Sequence, residues 1–231
     1  MSILVYTESE NGKFKKNAFE VTSYAKAVAE QLGTSVTAIS FNAEENESLG
    51  TYGAEKVLAV SNDRLKTFNA EAYAKAIAEA AEKEGSRVVV VSSSANSKYL
   101  APILASKLKA GYAPNVVEAP SSTSPLTVKR TAFSNKGFAF TEITTDTKII
   151  GVSNNAFGLN ETGGTANVEA FAPTLDDSDF SVTSVEVDKV AGKVSIADAE
   201  IVVSGGRGLK GPENWGMIEE LAEVLGAATA C

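Results

Sequence analysis

Histidine is absent from this chain of 231 residues, and cysteine occurs once, as the final residue Cys231. The first absence removes Ser–His and Cys–His nucleophile pairs together with the commonest metal ligand. The second removes internal disulfides, thiolate zinc sites and iron–sulfur clusters held within the chain. Side-chain chemistry near neutral pH is left to carboxylates, Lys and Tyr, which favours binding over catalysis, so no catalytic residue and no metal ligand is assigned. Long apolar runs are lacking as well. No segment approaches the roughly 18 consecutive apolar residues that a membrane span needs, so no membrane insertion is expected. The opening Met1-Ser2-Ile3-Leu4-Val5-Tyr6 carries no basic leader and no small-residue cleavage site soon after it, which predicts a cytoplasmic location. Positive charge is in deficit, 21 Lys and Arg against 29 Asp and Glu. A net charge of −8 argues against nucleic acid or an anionic membrane as partner. The one basic cluster, Lys13, Lys15 and Lys16, reads as the start of a solvated helix.

What is present is the patterning of an α/β protein. Ile3–Tyr6, Ser35–Phe41, Lys56–Val60 and Arg87–Val91 are short apolar runs of strand type, and the four consecutive valines of the last suit a strand covered on both faces. Between them, Ala18, Val21, Ala25, Val28 and Leu32 form one helical stripe ended by Gly33. Tyr73, Ile77 and Ala80 form another, in a helix over Ala70–Glu84 ended by Gly85. A short helix over Glu44–Leu49 with Gly50 as its stop, a helix over Lys98–Lys109 and a strand at Asn115–Val117 complete the alternation. Such alternation predicts right-handed crossovers and a mostly parallel, Rossmann-like sheet. From Leu126 the rhythm changes to the β-rich pieces Leu126–Thr131, Phe138–Ile143, Lys148–Val152 and Asn167–Phe171. Turn formers separate the first three, and the group reads as an antiparallel extension of the sheet. Asp176, Asp177 and Asp179 read as an exposed acidic linker before a strand at Ser181–Val187. A first domain is expected over residues 1–190. Residues 191–231 then read as the first β-α unit of a second α/β domain: strand Glu200–Ser204, a glycine-rich loop, and a helix from Pro212 to Leu225 with Ile218, Leu221, Ala222 and Leu225 as its buried stripe. Ala227–Ala230 would open a further strand.

The loop Ser204-Gly205-Gly206-Arg207-Gly208 stands where a mononucleotide fold receives its ligand, after a strand and before a helix N-terminus. Glycines let the backbone approach a pyrophosphate, and Arg207 offers a planar fork of donors. On spacing alone, a tight bend without a ligand explains the loop equally well.

Resemblance carries the reading further. Ile201-Val202-Val203-Ser204-Gly205-Gly206-Arg207-Gly208-Leu209-Lys210, with Leu221-Ala222-Glu223-Val224-Leu225-Gly226-Ala227 behind it, resembles the opening of the FAD domain of electron-transfer flavoprotein alpha subunits. Met1–Gly12 resembles the family's first strand and acidic-glycine turn, and Ala54-Glu55-Lys56-Val57-Leu58 its Gly-x-x-Lys-Val-Leu segment, with Gly53 one place nearer. Val91–Leu108 is similar to its strand, serine-rich turn and helix, and Ile149–Phe157 to its late strand and Asn/Thr-Ala-Phe turn. The resemblance spans the chain and implies such a subunit cut off within its FAD-binding domain. It implies an electron carrier rather than an enzyme, a flavoprotein heterodimer holding one FAD together with a beta subunit. Electrons would arrive from acyl-CoA and related dehydrogenases, as in fatty acid beta-oxidation, and leave to a membrane-bound electron-transfer flavoprotein–quinone oxidoreductase. Gly205, Gly206, Arg207 and Gly208 would be its cofactor-binding residues here. The family's other FAD contacts, a Gln-x-Gly-x-Thr loop among them, would fall after residue 231, so a chain ending there is expected to hold FAD poorly. Ala113-Pro114-Asn115 stands where many members carry Ile-Ser-Asp, so that acidic residue's role does not transfer.

Other candidates have plainer explanations. Ser92-Ser93-Ser94 could cradle an anion but reads better as a helix cap and turn. Trp215 reads as packing, and Asn154-Asn155 and Gly163-Gly164 as turns. Two other function classes stay open at this point. One is a non-redox adenine-nucleotide binding module, against which stands the lack of a glycine-rich loop between Val91 and Ala113. The other is an interaction scaffold without cofactor.

Overall fold

Apolar runs punctuated by glycine become strands and crossover helices. The computed structural model describes residues 2–185, 196 and 199–231. These fall into two compact units that divide between Val185 and Glu186. In chain order the first unit contains β1 (Ser2–Thr7), β2 (Ser9–Glu10), β3 (Lys13–Phe14), α1 (Lys16–Leu32), β4 (Ser35–Phe41), β5 (Lys56–Val60), α2 (Ala70–Glu84), β6 (Val88–Ser92), α3 (Ala95–Leu108), β7 (Gly111–Val116), β8 (Ser122–Thr123), β9 (Leu126–Ala132), β10 (Gly137–Ile143), β11 (Lys148–Val152) and β12 (Asn167–Ala170). The main sheet runs β10-β9-β7-β11-β6-β1-β4-β5-β12, with β8 beside β9. From β7 to β12 every neighbouring pair is parallel, and β9 adds to β7, β8 and β10 in antiparallel fashion.

Strand alternation splits the core into two layers. Ile3, Val5, Val88 and Val90 face the α1 side, and Leu4, Tyr6, Val89 and Val91 face α2 and α3. Both faces being covered explains why the valine run shows no polar alternation. Burial of each such side chain stabilises by about 1.5–3 kcal/mol over exposure. Helix ends follow local chemistry. Gly33 and Gly85 take left-handed conformations that end α1 and α2, Asn69 caps α2 by accepting from the N–H groups of Glu71 and Ala72, and the Ser94 hydroxyl accepts from Ser97 to start α3. That cap sets the beginning of α3 at Ala95, three residues before the expected Lys98.

Several expectations require correction. β11 and β12 are not part of the antiparallel extension, which consists of β8, β9 and β10. β11 inserts parallel between β6 and β7, and β12 pairs parallel with β5 at the far edge. The helical stretch expected over Glu44–Leu49 is a 3-10 helix over Asn46–Tyr52, and its left-handed stop is Gly53, not Gly50. Gly50 is needed for another reason: a Cβ there would lie 2.2 Å from the backbone nitrogen of Ala166, where the following segment crosses. The acidic stretch is a 3-10 helix, Asp177–Phe180, opened by a capping box between Asp176 and Asp179. Asp179 is buried and pairs with Lys75 at 2.6 Å. No strand forms over 181–185; the rest of that expected strand lies outside the described residues.

The second unit holds β13 (Val202–Ser204), α4 (Gly216–Leu225) and β14 (Ala228–Ala230). β13 and β14 are parallel, Val202 opposite Ala228 and Ser204 opposite Ala230, so α4 is a β-α-β crossover. Pro212 starts a 3-10 turn, Pro212–Asn214, and the α-helix proper starts at Gly216. The expected stripe on α4 is only partly covered: Ala222 is buried, whereas Leu221 and Leu225 are 50% and 44% exposed. Two short strands present too narrow a face to bury a helix stripe.

Candidate functional site

The segment that joins β13 to α4 turns directly after the strand. Gly205 donates its N–H to Ala230 at 3.0 Å, which carries the parallel pairing one residue past Ser204. A side chain at Gly205 would meet Leu209 Cδ1 at 2.3 Å and Trp215 Cζ3 at 2.8 Å. A larger residue here would have to displace the Leu209 and Trp215 side chains, and Trp215 serves as the expected packing residue. Gly206 and Gly208 differ. Among the described residues no heavy atom beyond the adjoining residues stands within 4 Å of where their Cβ atoms would be, so the backbone there faces open space.

Two tight turns order the rest of the loop. Leu209 and Lys210 donate to Gly206 and Arg207 in the first, and Trp215 donates to Pro212 in the second. The N–H groups of Gly206, Arg207 and Gly208 have no acceptor among the described residues. The Arg207 side chain is exposed, and no acidic side chain among the described residues pairs with it. Over residues 199–231 the only cations are Arg207 and Lys210, both in this loop, while Glu219, Glu220 and Glu223 lie in α4. Backbone donors and a guanidinium that have no partner among the described residues, gathered at the end of a parallel strand, suit a phosphate-type anion. Gly206, Arg207 and Gly208 thus stand side by side in the loop, and Gly205 packs against Leu209 and Trp215.

The remaining candidates sort by their contacts. Among the described residues no group of His, Cys, Asp and Glu could hold a metal ion, and no helix is long and apolar enough to cross a membrane. Cys231 is exposed and free. Asp176 has its carboxyl pulled down to about 2, first by the Ser178 hydroxyl and then by Lys75. Lys75 is raised by the same cluster, Asp179 foremost. These charges tie the 176–180 turn to α2 and are structural.

Two acidic residues escaped the sequence reading. Glu20 on α1 is buried and accepts from the N–H groups of Asn155, Phe157 and Gly158 at 2.8, 2.9 and 3.0 Å, so it shapes the turn after β11. Glu8, directly after β1, is buried against Ser92, Ser94 and Ser97. Its sequence signal was an acidic residue at the end of the first strand facing a serine-rich turn after the fourth. Pairing the two requires the knowledge that β1 and β6 are neighbours.

Comparison with known proteins gives consistent matches along the chain. Residues 3–176 match the family model described as electron transfer flavoprotein domain. Residues 195–231 match the one described as electron transfer flavoprotein FAD-binding domain. The electron transfer flavoprotein subunit alpha of Thermoanaerobacterium thermosaccharolyticum is 31% identical over 97% of this chain and 70% of its own length. The subunits of the same name from Bacillus subtilis and Megasphaera elsdenii are each 29% identical, over 98% of this chain and 70% of their own lengths.

Proposed function

The chain belongs to the electron transfer flavoprotein family, on the alpha-subunit side, and from that premise we propose that it carries electrons on an FAD it holds jointly with a beta subunit. Membership in this family makes it a carrier, not an enzyme. The bound flavin supplies the redox chemistry; the polypeptide's part is to hold and orient it and to tune its surroundings. On this reading the Gly206, Arg207 and Gly208 donors receive the anionic diphosphate of FAD. The observation that carries it is the coincidence, at the end of β13, of three N–H groups and a guanidinium that have no partner among the described residues. The fit extends only to that charged portion; the groups that would enclose adenine and isoalloxazine are not among the residues of this loop.

The first unit is, on the same reading, the scaffold on which the beta subunit docks. The edge strand β10 supports a partner, since Phe138 and Phe140 project from it into solvent and Phe133, in the turn before it, is also exposed. Clusters of exposed aromatics on an unpaired edge mark an interaction surface. Acyl-CoA and related dehydrogenases are the electron donors and a quinone oxidoreductase the acceptor in this proposal, with the complex in the cytoplasm. Co-expression of the full-length alpha chain with the beta chain tests it. A yellow complex with one flavin per heterodimer, reduced by an acyl-CoA dehydrogenase with its substrate, is expected. A stable but colourless complex that takes up no added FAD would sink the reading.

A further inference from the structure

The order β6-β1-β4-β5 places a topological switch point between β1 and β6, because the chain leaves β1 towards β4 and later returns to its other side. In open parallel sheets the crevice outside the carboxyl ends of two such strands is where ligands enter. Here that crevice is already filled. Glu8, the first residue after β1, is 3% exposed and turns its carboxylate to the start of α3. A single oxygen, Oε1, accepts from three hydroxyls: Ser92, Ser94 at 2.6 Å and Ser97 at 3.2 Å. Ser92 and Ser97 also lie 3.1 Å apart. Ser94 is at the same time the N-cap of the helix, 14 residues long, whose positive dipole end faces the carboxylate.

No Lys or Arg among the described residues pairs with Glu8. The anion is held by hydroxyls and a helix terminus alone, which is the equipment of a phosphate site rather than of an ion pair. Its field reaches the phenols of Tyr6 and Tyr73, which burial first, and the Glu8 charge second, push above their ordinary range. Ser93 donates its N–H to Val152, Ser94 donates to the Ser92 hydroxyl and Ser97 to that of Ser94.

We propose that the crevice between β1 and β6 is an oxyanion site that the chain fills with its own Glu8 carboxylate, and that Glu8 thereby closes the first unit to nucleotide phosphates. A phosphate entering the crevice would find the serine hydroxyls taken and a buried negative charge beside it. The site would take a small carboxylate or phosphate once Glu8 is shortened, since Glu8→Ala removes the equivalent of one acetate.

The test compares wild type, Glu8→Ala and Glu8→Gln in thermal unfolding at pH 7, in chloride, acetate and inorganic phosphate of equal ionic strength. Differences from wild type are read, so that phosphate bound elsewhere in the protein cancels. Glu8→Ala is expected to gain a saturable rise in Tm over chloride, roughly 5 °C or more at about fifty times Kd. Amide exchange at Ala95–Ser97 should slow in parallel. Glu8→Gln, which keeps the space filled, is expected to gain nothing. If Glu8→Ala is unfolded in chloride, recovery of its folded state in acetate or phosphate is the expected result. An alanine variant that responds to both anions as wild type does, or that neither anion refolds, overturns the proposal.

Discussion

Replacement of Glu20 by alanine should loosen the turn after β11 and cost about 3–6 kcal/mol. The carboxylate is 3% exposed and accepts three backbone N–H groups, from Asn155 at Oε2 and from Phe157 and Gly158 at Oε1. An unsatisfied buried donor costs about 1–3 kcal/mol. Water can follow into the space an alanine leaves, so the lower half of that range applies to each of the three. The same turn holds Phe157 edge-on to the buried Tyr24 ring at 5.1 Å, so the loss spreads into the α1 side of the core. Glutamine keeps Oε1 for Phe157 and Gly158 but presents an amide NH2 to the N–H of Asn155, so it should cost only about 1–2 kcal/mol. Equilibrium unfolding in urea followed by far-UV circular dichroism measures both. The midpoints should fall in the order wild type, Glu20→Gln, Glu20→Ala with little change of slope, and amide exchange at residues 155–158 should accelerate most in the alanine variant. A loss below about 1 kcal/mol for alanine, or a glutamine variant no better than alanine, would show that these bonds do not hold the turn.

Gly50→Ala should destabilise the first unit by about 2–3 kcal/mol in the same assay, since its Cβ would stand 2.2 Å from the Ala166 backbone; a neutral substitution would mean that the crossing segment yields freely. Acid should weaken the fold between pH 3.8 and about 2, because Asp176 holds its carboxyl below its usual value; its contribution is complete above that window and lost as pH falls through it. Asp176→Asn should flatten the fall of stability in that window, and an unaltered acid limb would remove Asp176 from the account. Phe138→Ser with Phe140→Ser should leave Tm within a degree or two, as both rings are in solvent, while weakening beta-subunit association at least tenfold by calorimetry. Unchanged association would place the beta subunit elsewhere.

The parallel half of the sheet was legible because its signals are local. β4, β5, α2 and β11 have the bounds their apolar runs and end-cap residues suggested. Pairing is not local. Ser134–Gly137 and Thr144–Asp146 are similar turn formers, yet the first closes the β9–β10 hairpin and the second sends β11 across two strands to lie beside β6. The acidic run was misread for a related reason: composition reports exposure on average, and Lys75, a hundred residues earlier in the chain, decides that Asp179 is buried. In the candidate site, Arg207 and its glycines were visible as a motif, but their division of labour was not. Only packing distances separate Gly205, which packs against Leu209 and Trp215, from Gly206 and Gly208, which face open space. Glu8 and Glu20 were passed over because a carboxylate next to a strand or on a helix is ordinarily a solvated residue. Their partners lie more than eighty residues away in sequence.

The most direct measurement is FAD affinity of the alpha–beta complex with Arg207 changed to alanine and, separately, to lysine. Loss of a charge-assisted contact to phosphate predicts a dissociation constant raised about 10- to 100-fold in alanine, with lysine between, at unchanged Tm of the flavin-free complex. Equal FAD affinity in all three proteins would contradict the assignment of this loop to the cofactor's diphosphate.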